Sequence, residues 1–154
     1  MIIALLGYRD IGRFGTGNRD IWRLGINMPT FEDLRIWQEA HRLMGDISGI
    51  CKNLPRDERF RLKDQIERSA SSVCDNIAEG YSAYYYNEKI KIMYIARREA
   101  AETQNHLRTM QAKGYINNKI AEEIVSDYQK VIKGINGYIK YVIEKRDADK
   151  RSKT

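Results

Sequence analysis

The chain has 154 residues, a formal net charge of +6 and a pI of about 9.3. This length is that of one domain with a real core. A hydrophobic content of 42% and a charged content of 31% are ordinary for a soluble helical protein, and no apolar stretch reaches the ~20 residues of a membrane span. The positive charge fits a polyanionic partner such as nucleic acid, although many proteins this basic bind none.

The cysteines and histidines form no metal-binding or catalytic pattern. Cys51 and Cys74 lie far apart without metal-ligand spacing, which predicts buried, reduced thiols in the cytoplasm. His41 and His106 fall on different predicted helices, and no Glu-x-x-His motif of a bundle metal site occurs. We therefore predict a cytoplasmic protein that is not an enzyme and has no cofactor, metal site or membrane segment.

The composition divides the chain into three segments. Residues 1–27 are rich in Gly and Arg and lack helical periodicity, so they are interpreted as a flexible basic arm or as upstream sequence before Met28. Residues 28–146 carry the helical pattern, and residues 147–154 form a charged tail.

Two helices are predicted in the first half of the helical region. Helix 1 opens at Thr30, a capping residue with Asp33 three positions on, and ends before Leu54-Pro55. Helix 2 begins just after Pro55 and runs to about Gly80, with apolar residues repeating every seven positions.

Helix 2 also carries polar residues beside its apolar stripe. Ser69 and Asn76 fall at core positions of the repeat, and Gln65, Ser72 and Glu79 form a row along the edge. We call Gln65, Ser72, Asn76 and Glu79 the polar seam. We expect it to be structural, with Asn76 setting helix register or oligomeric state as single buried Asn residues do in coiled coils.

Helix 3 is predicted over residues 86–113, before Gly114, and helix 4 begins near Asn117 or Asn118. The first half of helix 3 is apolar nearly all round, which predicts that Ile92 and Ile95 contact another subunit. Four tyrosines occupy the link before helix 3, and we expect them to cover the end of the bundle, with base stacking as the alternative. They are Tyr81, Tyr84, Tyr85 and Tyr86.

Four helices with short links predict an all-α fold, an antiparallel up-down-up-down four-helix bundle. The basic residues of helices 3 and 4 are candidate contacts to nucleic-acid phosphates. They are Arg97 and Arg98 on helix 3, and Lys130, Lys133 and Lys140 on helix 4.

These helices carry the motifs of a known family. The strongest is Asn76-Ile77-Ala78-Glu79-Gly80, preceded by the opening Phe31-x-x-Leu34-x-x-Trp37 and followed by Ile95-Ala96-Arg97. Over residues 30–143 the chain resembles the four-helix bundle proteins encoded in intervening sequences of bacterial large-subunit ribosomal RNA genes. One departure is Arg98-Glu99, where the family commonly has Gly-Ser.

The resemblance implies an antiparallel four-helix bundle that assembles as a ring-like pentamer. This shape is similar to that of the accessory proteins of diversity-generating retroelements, which are basic pentamers that bind nucleic acid and a reverse transcriptase. The leading hypothesis is therefore a non-enzymatic homo-oligomer that binds RNA or DNA. The alternative is a protein–protein adaptor, for example a partner of a reverse transcriptase, without direct nucleic-acid binding.

Overall fold

The computed structural model describes residues 29–152, and every regular element in that range is helical. The all-α prediction is confirmed, and the arm predicted at residues 1–27 lies outside the described residues. Four α-helices follow a 3-10 turn at Phe31–Asp33. They are α1 (Arg35–Cys51), α2 (Asp64–Ser82), α3 (Tyr86–Ala112) and α4 (Asn118–Arg151), with a 3-10 turn (Arg56–Glu58) and a π-helix (Arg59–Lys63) before α2.

The link between α3 and α4 is bounded by the helix-capping residues that the sequence predicts at both ends. Gly114 has φ +70°, and the Tyr115 amide donates to the Met110 carbonyl at 2.9 Å, a glycine-dependent C-terminal cap. Asn117 caps α4, since its side-chain oxygen accepts from the Lys119 amide at 2.8 Å.

Three other boundaries differ from the sequence prediction. Helix 2, expected just after Pro55, is a regular α-helix only from Asp64, after the 3-10 turn and the π-helix. The first α-helix begins at Arg35 rather than at Thr30, with Leu34 at the cap position and no side-chain cap. At the other end, α4 continues through Arg151, into the segment expected to be a charged tail.

Neighbouring helices meet in reversed order along the chain. On the α2–α3 side, Ser69 contacts Thr103 whereas Gly80 packs against Met93. On the α3–α4 side the hydrogen-bonded pairs are Arg97–Asn136, Gln104–Val125 and Arg108–Glu122. Residue numbers thus rise along one helix while those of the contacting residues fall along the next, which is the pattern of an up-down-up-down bundle.

The core is built from the apolar stripes of all four helices. The predicted stripe of α2 is buried at Ile66, Ala70, Val73, Ile77 and Gly80. Fully buried side chains from the other helices complete it; the largest are Leu43, Ile47, Met93, Leu107, Met110, Tyr128 and Ile135.

Asn76 of the polar seam lies at the edge of the buried face rather than at the core position that the repeat predicts. Gln65 and Glu79 are exposed, and Ser72 and Asn76 are half-buried. The Asn76 amide donates to the carbonyl (2.7 Å) and hydroxyl (3.1 Å) of Ser72, within the same helix. The buried face of α2 is centred near Ala70 and Ile77, because Cys74 is buried as well. Asn76 therefore lies at the edge of this face.

Ser69, the other polar residue predicted at a core position, is buried and supplies a polar contact inside the bundle. Its hydroxyl donates to the Ile66 carbonyl at 3.1 Å and lies 2.9 Å from the Thr103 hydroxyl of α3. Thr103 also lies 2.9 Å from the Glu99 carbonyl. Both hydroxyls therefore have partners, and burying them carries no unpaired-group penalty.

The start of α3 is buried more fully within the chain than expected. Ile92 is buried, and its Cγ2 lies 3.4 Å from where a Cβ on Gly80 would stand. Ile92 thus belongs to the α2–α3 contact, which leaves its side chain little surface for the subunit contact that the sequence predicts. Ile95 is half-buried on the outer side of α3.

The tyrosine link covers the bundle end only in part. Tyr81 and Tyr86 are half-buried, whereas Tyr84 and Tyr85 are 74% and 69% exposed. The prediction of a cover is wrong for Tyr84 and Tyr85, because the extended backbone at Ala83 (ψ 143°) turns the chain away from the core.

A glycine lets α4 approach the first helix closely. A Cβ on Gly134 would stand 2.4 Å from the Cγ2 of Ile36, a distance that real side chains do not tolerate. Gly45 on α1, in contrast, faces open space. Substituting each glycine by alanine therefore distinguishes the effect of this close approach on stability from the effect of helix propensity.

We expect Gly45→Ala to stabilise the fold by about 0.5–1 kcal/mol, because Ala is the better helix former. Gly134→Ala has the same propensity gain, but displacing Ile36 costs about 1–3 kcal/mol, so this variant is destabilised or at best unchanged. Urea denaturation measures both. Equal stabilisation by the two substitutions would contradict the close approach.

A buried carboxylate joins the two loops at one end of the bundle. Glu58 accepts hydrogen bonds from the Lys113 ammonium (2.6 Å) and the Tyr115 hydroxyl (3.1 Å). The bond from Lys113, more than the opposing effect of burial, lowers the pKa of Glu58, and the same cluster raises the pKa of Tyr115. The α1–α2 link is thus tied to the α3–α4 loop.

We expect Glu58→Gln to lower stability near neutral pH. Because folding lowers the pKa of Glu58, its contribution is present above its unfolded value of about 4.5 and is lost as pH falls through the folded value. The difference between parent and variant in thermal unfolding therefore shrinks on acidification. Glu123→Gln is the control, since Glu123 is exposed and has no ion pair within residues 29–152. A pH-independent difference would contradict this role for Glu58.

Candidate nucleic-acid interface

The outer surface of α3 and α4 holds an open groove of about 740 Å³. Ile95 and Ala101 of α3 and Ile132 of α4 form its apolar part. Lys91, Arg97 and Arg98 bring positive charge, and Tyr94 and Asn136 complete the lining. Lys91, Ile95 and Arg98 share a face of α3 because they are spaced by four and three residues, and that face is opposite the buried stripe.

Arg97 joins the two helices across this groove. Its guanidinium donates to the Asn136 side-chain oxygen at 3.2 Å, and its Cζ lies 4.9 Å from the centre of the Tyr94 ring. Since a guanidinium has five N–H donors, these contacts leave others for a ligand. Arg97 is thereby held in place while it remains exposed.

Arg98 stands on the rim with little to neutralise it. Its side chain is 73% exposed, and its ion pair with Glu99 is long, at 3.6 Å. Exposed pairs of this kind contribute only about 0–1 kcal/mol. The Arg98-Glu99 departure from the family pattern thus adds a cation to the groove, while the half-buried Glu99 keeps its carbonyl bonded to Thr103.

Two of the predicted lysines of α4 continue this surface. Lys133 and Lys140 lie three residues before and four residues after Asn136, so they lie on the same side of α4. Lys133 is exposed and has no ion pair within residues 29–152. Lys140 has a distant partner, Glu144, at 3.9 Å.

Lys130 is not brought to the groove. Its ammonium lies 2.8 Å from Asp127, which also accepts from Arg42 of α1 at 2.8 Å. Arg42 has further pairs with Glu39 and Asp46. The hydrogen bond from Lys130 is the largest cause of the lowered pKa of Asp127. Of the five predicted cations, Lys130 therefore belongs to a paired network on the α1 side of α4.

Sequence reasoning missed Lys91, Tyr94 and Asn136. The spacing of Lys91 and Arg98, seven residues apart, was a signal that both lie on one helix face. Asn136 had no such signal, because its role depends on which residue of α3 stands opposite.

The described residues provide neither a metal site nor a reactive thiol at this surface. Within residues 29–152, no group of three or more His, Cys, Asp and Glu side chains is placed to hold a metal ion. Cys51 and Cys74 are free and buried, and burial raises their thiol pKa values to about 11 and about 12. Both thiols are therefore protonated at neutral pH. No helix in the described range combines the length and apolar character needed to cross a membrane.

The fold and groove define a helical bundle protein with a basic outer face. Residues 32–137 match the sequence profile of the 23S rRNA-intervening sequence protein family, and the chain belongs to this family. The resemblance noted in the sequence is thus confirmed. The chain is also similar to a crystal structure from Bacteroides thetaiotaomicron, described as a protein of unknown function from the S23 ribosomal protein family. The two are 27% identical with a TM-score of 0.63 over 68% of this chain and 95% of that one. No curated protein matches the chain.

Proposed function

We propose that this protein is a non-enzymatic homo-oligomeric module that binds RNA or DNA through phosphate contacts at the α3–α4 groove. The observation that carries the proposal is the distribution of ion pairs. Arg42, on the α1–α4 side, and Lys113, at the end of α3, have close carboxylate partners in Asp127 and Glu58. The cations around the groove have distant partners or none within residues 29–152.

Unpaired cations on one surface are what phosphate binding requires. A protein that neutralises phosphates releases condensed counterions, and this entropy gain drives binding that is largely independent of sequence. Arg98, Lys133 and Lys91 can do so without first breaking a strong internal pair. The family is named for an rRNA-intervening sequence, which makes RNA the first polymer to test.

Assembly is the second part of the proposal. The resemblance to ring-like pentamers implies several copies of the groove per particle, and each copy adds phosphate contacts. A cytoplasmic location is also proposed, in keeping with two free, buried cysteines.

A protein–protein adaptor, for example for a reverse transcriptase, is the second candidate function. The exposed rings of Tyr84 and Tyr85 favour it, because they stand edge-to-face 5.0 Å apart at the bundle end and are available to a protein partner. Such a protein would not bind nucleic acid by itself.

We expect reversal of Arg98, Lys133 and Lys140 to Glu to weaken binding of labelled RNA and DNA to a similar degree for all sequences. The slope of log affinity against log salt should become shallower by about 0.7–0.9 for each lost phosphate contact. Fluorescence anisotropy at two salt concentrations measures both effects. Circular dichroism should be unchanged, since none of the three side chains is buried.

Lys130 supplies the matched control. Lys133→Gln should weaken binding, whereas Lys130→Gln, three residues away on the same helix, should leave affinity unchanged because Lys130 lies on the α1 side of α4, outside the groove. If the parent protein binds neither polymer at low salt, the nucleic-acid proposal is wrong and the adaptor function takes its place.

The number of subunits in the particle can be measured directly. Light scattering of the full chain should give a mass that is a multiple of 18.0 kDa, with a pentamer as the expected product. A monomer at micromolar concentration would contradict the oligomeric part of the proposal and leave the groove argument standing.

A further inference from the structure

The corner between α1 and α2 displays an aromatic ring to solvent. Phe60 is 84% exposed, the highest value among the large hydrophobic residues exposed within residues 29–152. Its neighbours Glu58 and Leu62 are buried. Phe60 belongs to the short π-helix before α2, and such wider turns occur frequently at functional sites.

This corner also has cations without partners. Arg56, Arg59 and Arg61 are exposed and Lys63 is half-buried, and no ion pair within residues 29–152 involves any of them. The nearest buried acid, Glu58, is already bound by Lys113 and Tyr115. Two further acids are near, Asp57 within this corner and Asp64 at the start of α2, so the four cations remain in excess.

The ring and the cations are arranged together. The Cζ of Arg59 lies 5.5 Å from the centre of the Phe60 ring, within the range of a cation–π contact. Arg59 therefore stands beside the ring while its N–H donors remain available for an anion. An aromatic face flanked by cations is the arrangement with which proteins hold a base and its adjoining phosphates.

We infer that the Phe60 corner, defined as residues 56–63, binds single-stranded nucleic acid by stacking an unpaired base on Phe60, with Arg59 and Arg61 contacting the adjoining phosphates. Bases in a duplex already stack on one another, so an exposed ring selects strands whose bases are free. This inference rests on the proposed function for the class of ligand, but on different residues.

The corner is separate from the α3–α4 groove. Glu58 contacts Lys113 and Tyr115 at the C-terminal end of α3, whereas the groove ends at Ala101. The separation of twelve positions between Ala101 and Lys113 corresponds to about 18 Å of helix. Substitutions at the two places therefore report on different contacts.

The experiment compares three labelled probes on the full chain at low salt. They are an oligothymidine, an abasic oligomer of the same length that keeps the phosphates, and the matching duplex. We expect the parent protein to bind oligothymidine more tightly than the abasic oligomer. Phe60→Ala and Phe60→Leu should each weaken oligothymidine binding about tenfold and leave the other two probes unchanged.

The variants separate stacking from its alternatives. Phe60→Leu keeps an apolar side chain but removes the π face, so loss of binding in this variant identifies stacking. Ile120→Ala is the control, because Ile120 is also a large hydrophobic side chain that is exposed but has no π face. It should bind all three probes like the parent. Arg59→Glu should weaken oligothymidine and the abasic oligomer alike.

Each other outcome has a definite meaning. Parent-like binding by Phe60→Ala, together with weakened binding by the groove reversals, overturns the stacking inference and leaves the proposed function intact. A changed particle mass in Phe60→Ala, measured by light scattering, shows that a second copy of the chain covers the ring and also overturns it. No binding of any probe by the parent overturns both proposals.

Discussion

The close packing of α2 against α3 is the contact on which the rest of the structure depends. Small residues meet there: Ser69, Ala70 and Gly80 of α2, and Ala96 and Ala100 of α3, are all buried. At Gly80 the neighbouring Met93 side chain is so near that a Cβ would stand 3.2 Å from it. The hydroxyl pair of Ser69 and Thr103 fills the same contact without leaving an unpaired group.

This packing determines which side of α3 faces outward. Because Met93, Ala96 and Ala100 are directed into the bundle, Lys91 and Arg98 lie on the opposite face, and Arg97 reaches Asn136 on α4. The basic groove is therefore a consequence of how α3 is oriented by its neighbours. At the end of α3, the bonds of Lys113 and Tyr115 to Glu58 hold the segment that precedes α2, and the exposed ring of Phe60 stands in that segment.

The presence or absence of acidic partners for the cations distinguishes the surfaces of this molecule. On the α1–α4 side, Arg42, Asp127 and Lys130 satisfy one another, so that side presents little free charge to a polyanion. Arg98 and Lys133, and the arginines beside Phe60, lack such close partners within the described residues. The two surfaces thus differ in the free energy with which they attract phosphate, because acids that already accept from Arg42 and Lys130 also repel a polyanion.

The sequence by itself determined the all-α fold class, the bounds of α3 to within one residue, and the start of α4 at its Asn117 cap, because periodicity and capping are local properties of the chain. It also determined the family, through the Asn76 to Gly80 motif and the Phe31 opening. Only the tertiary structure decided that Asn76 lies at an edge, that Ile92 is in the core, that Lys130 is paired and that Phe60 is exposed. Burial and pairing depend on which residues of other helices stand opposite, and a π-helix adds a residue to the turn that a regular helical repeat does not anticipate. These are properties of contacts between distant parts of the chain, and no local pattern contains them.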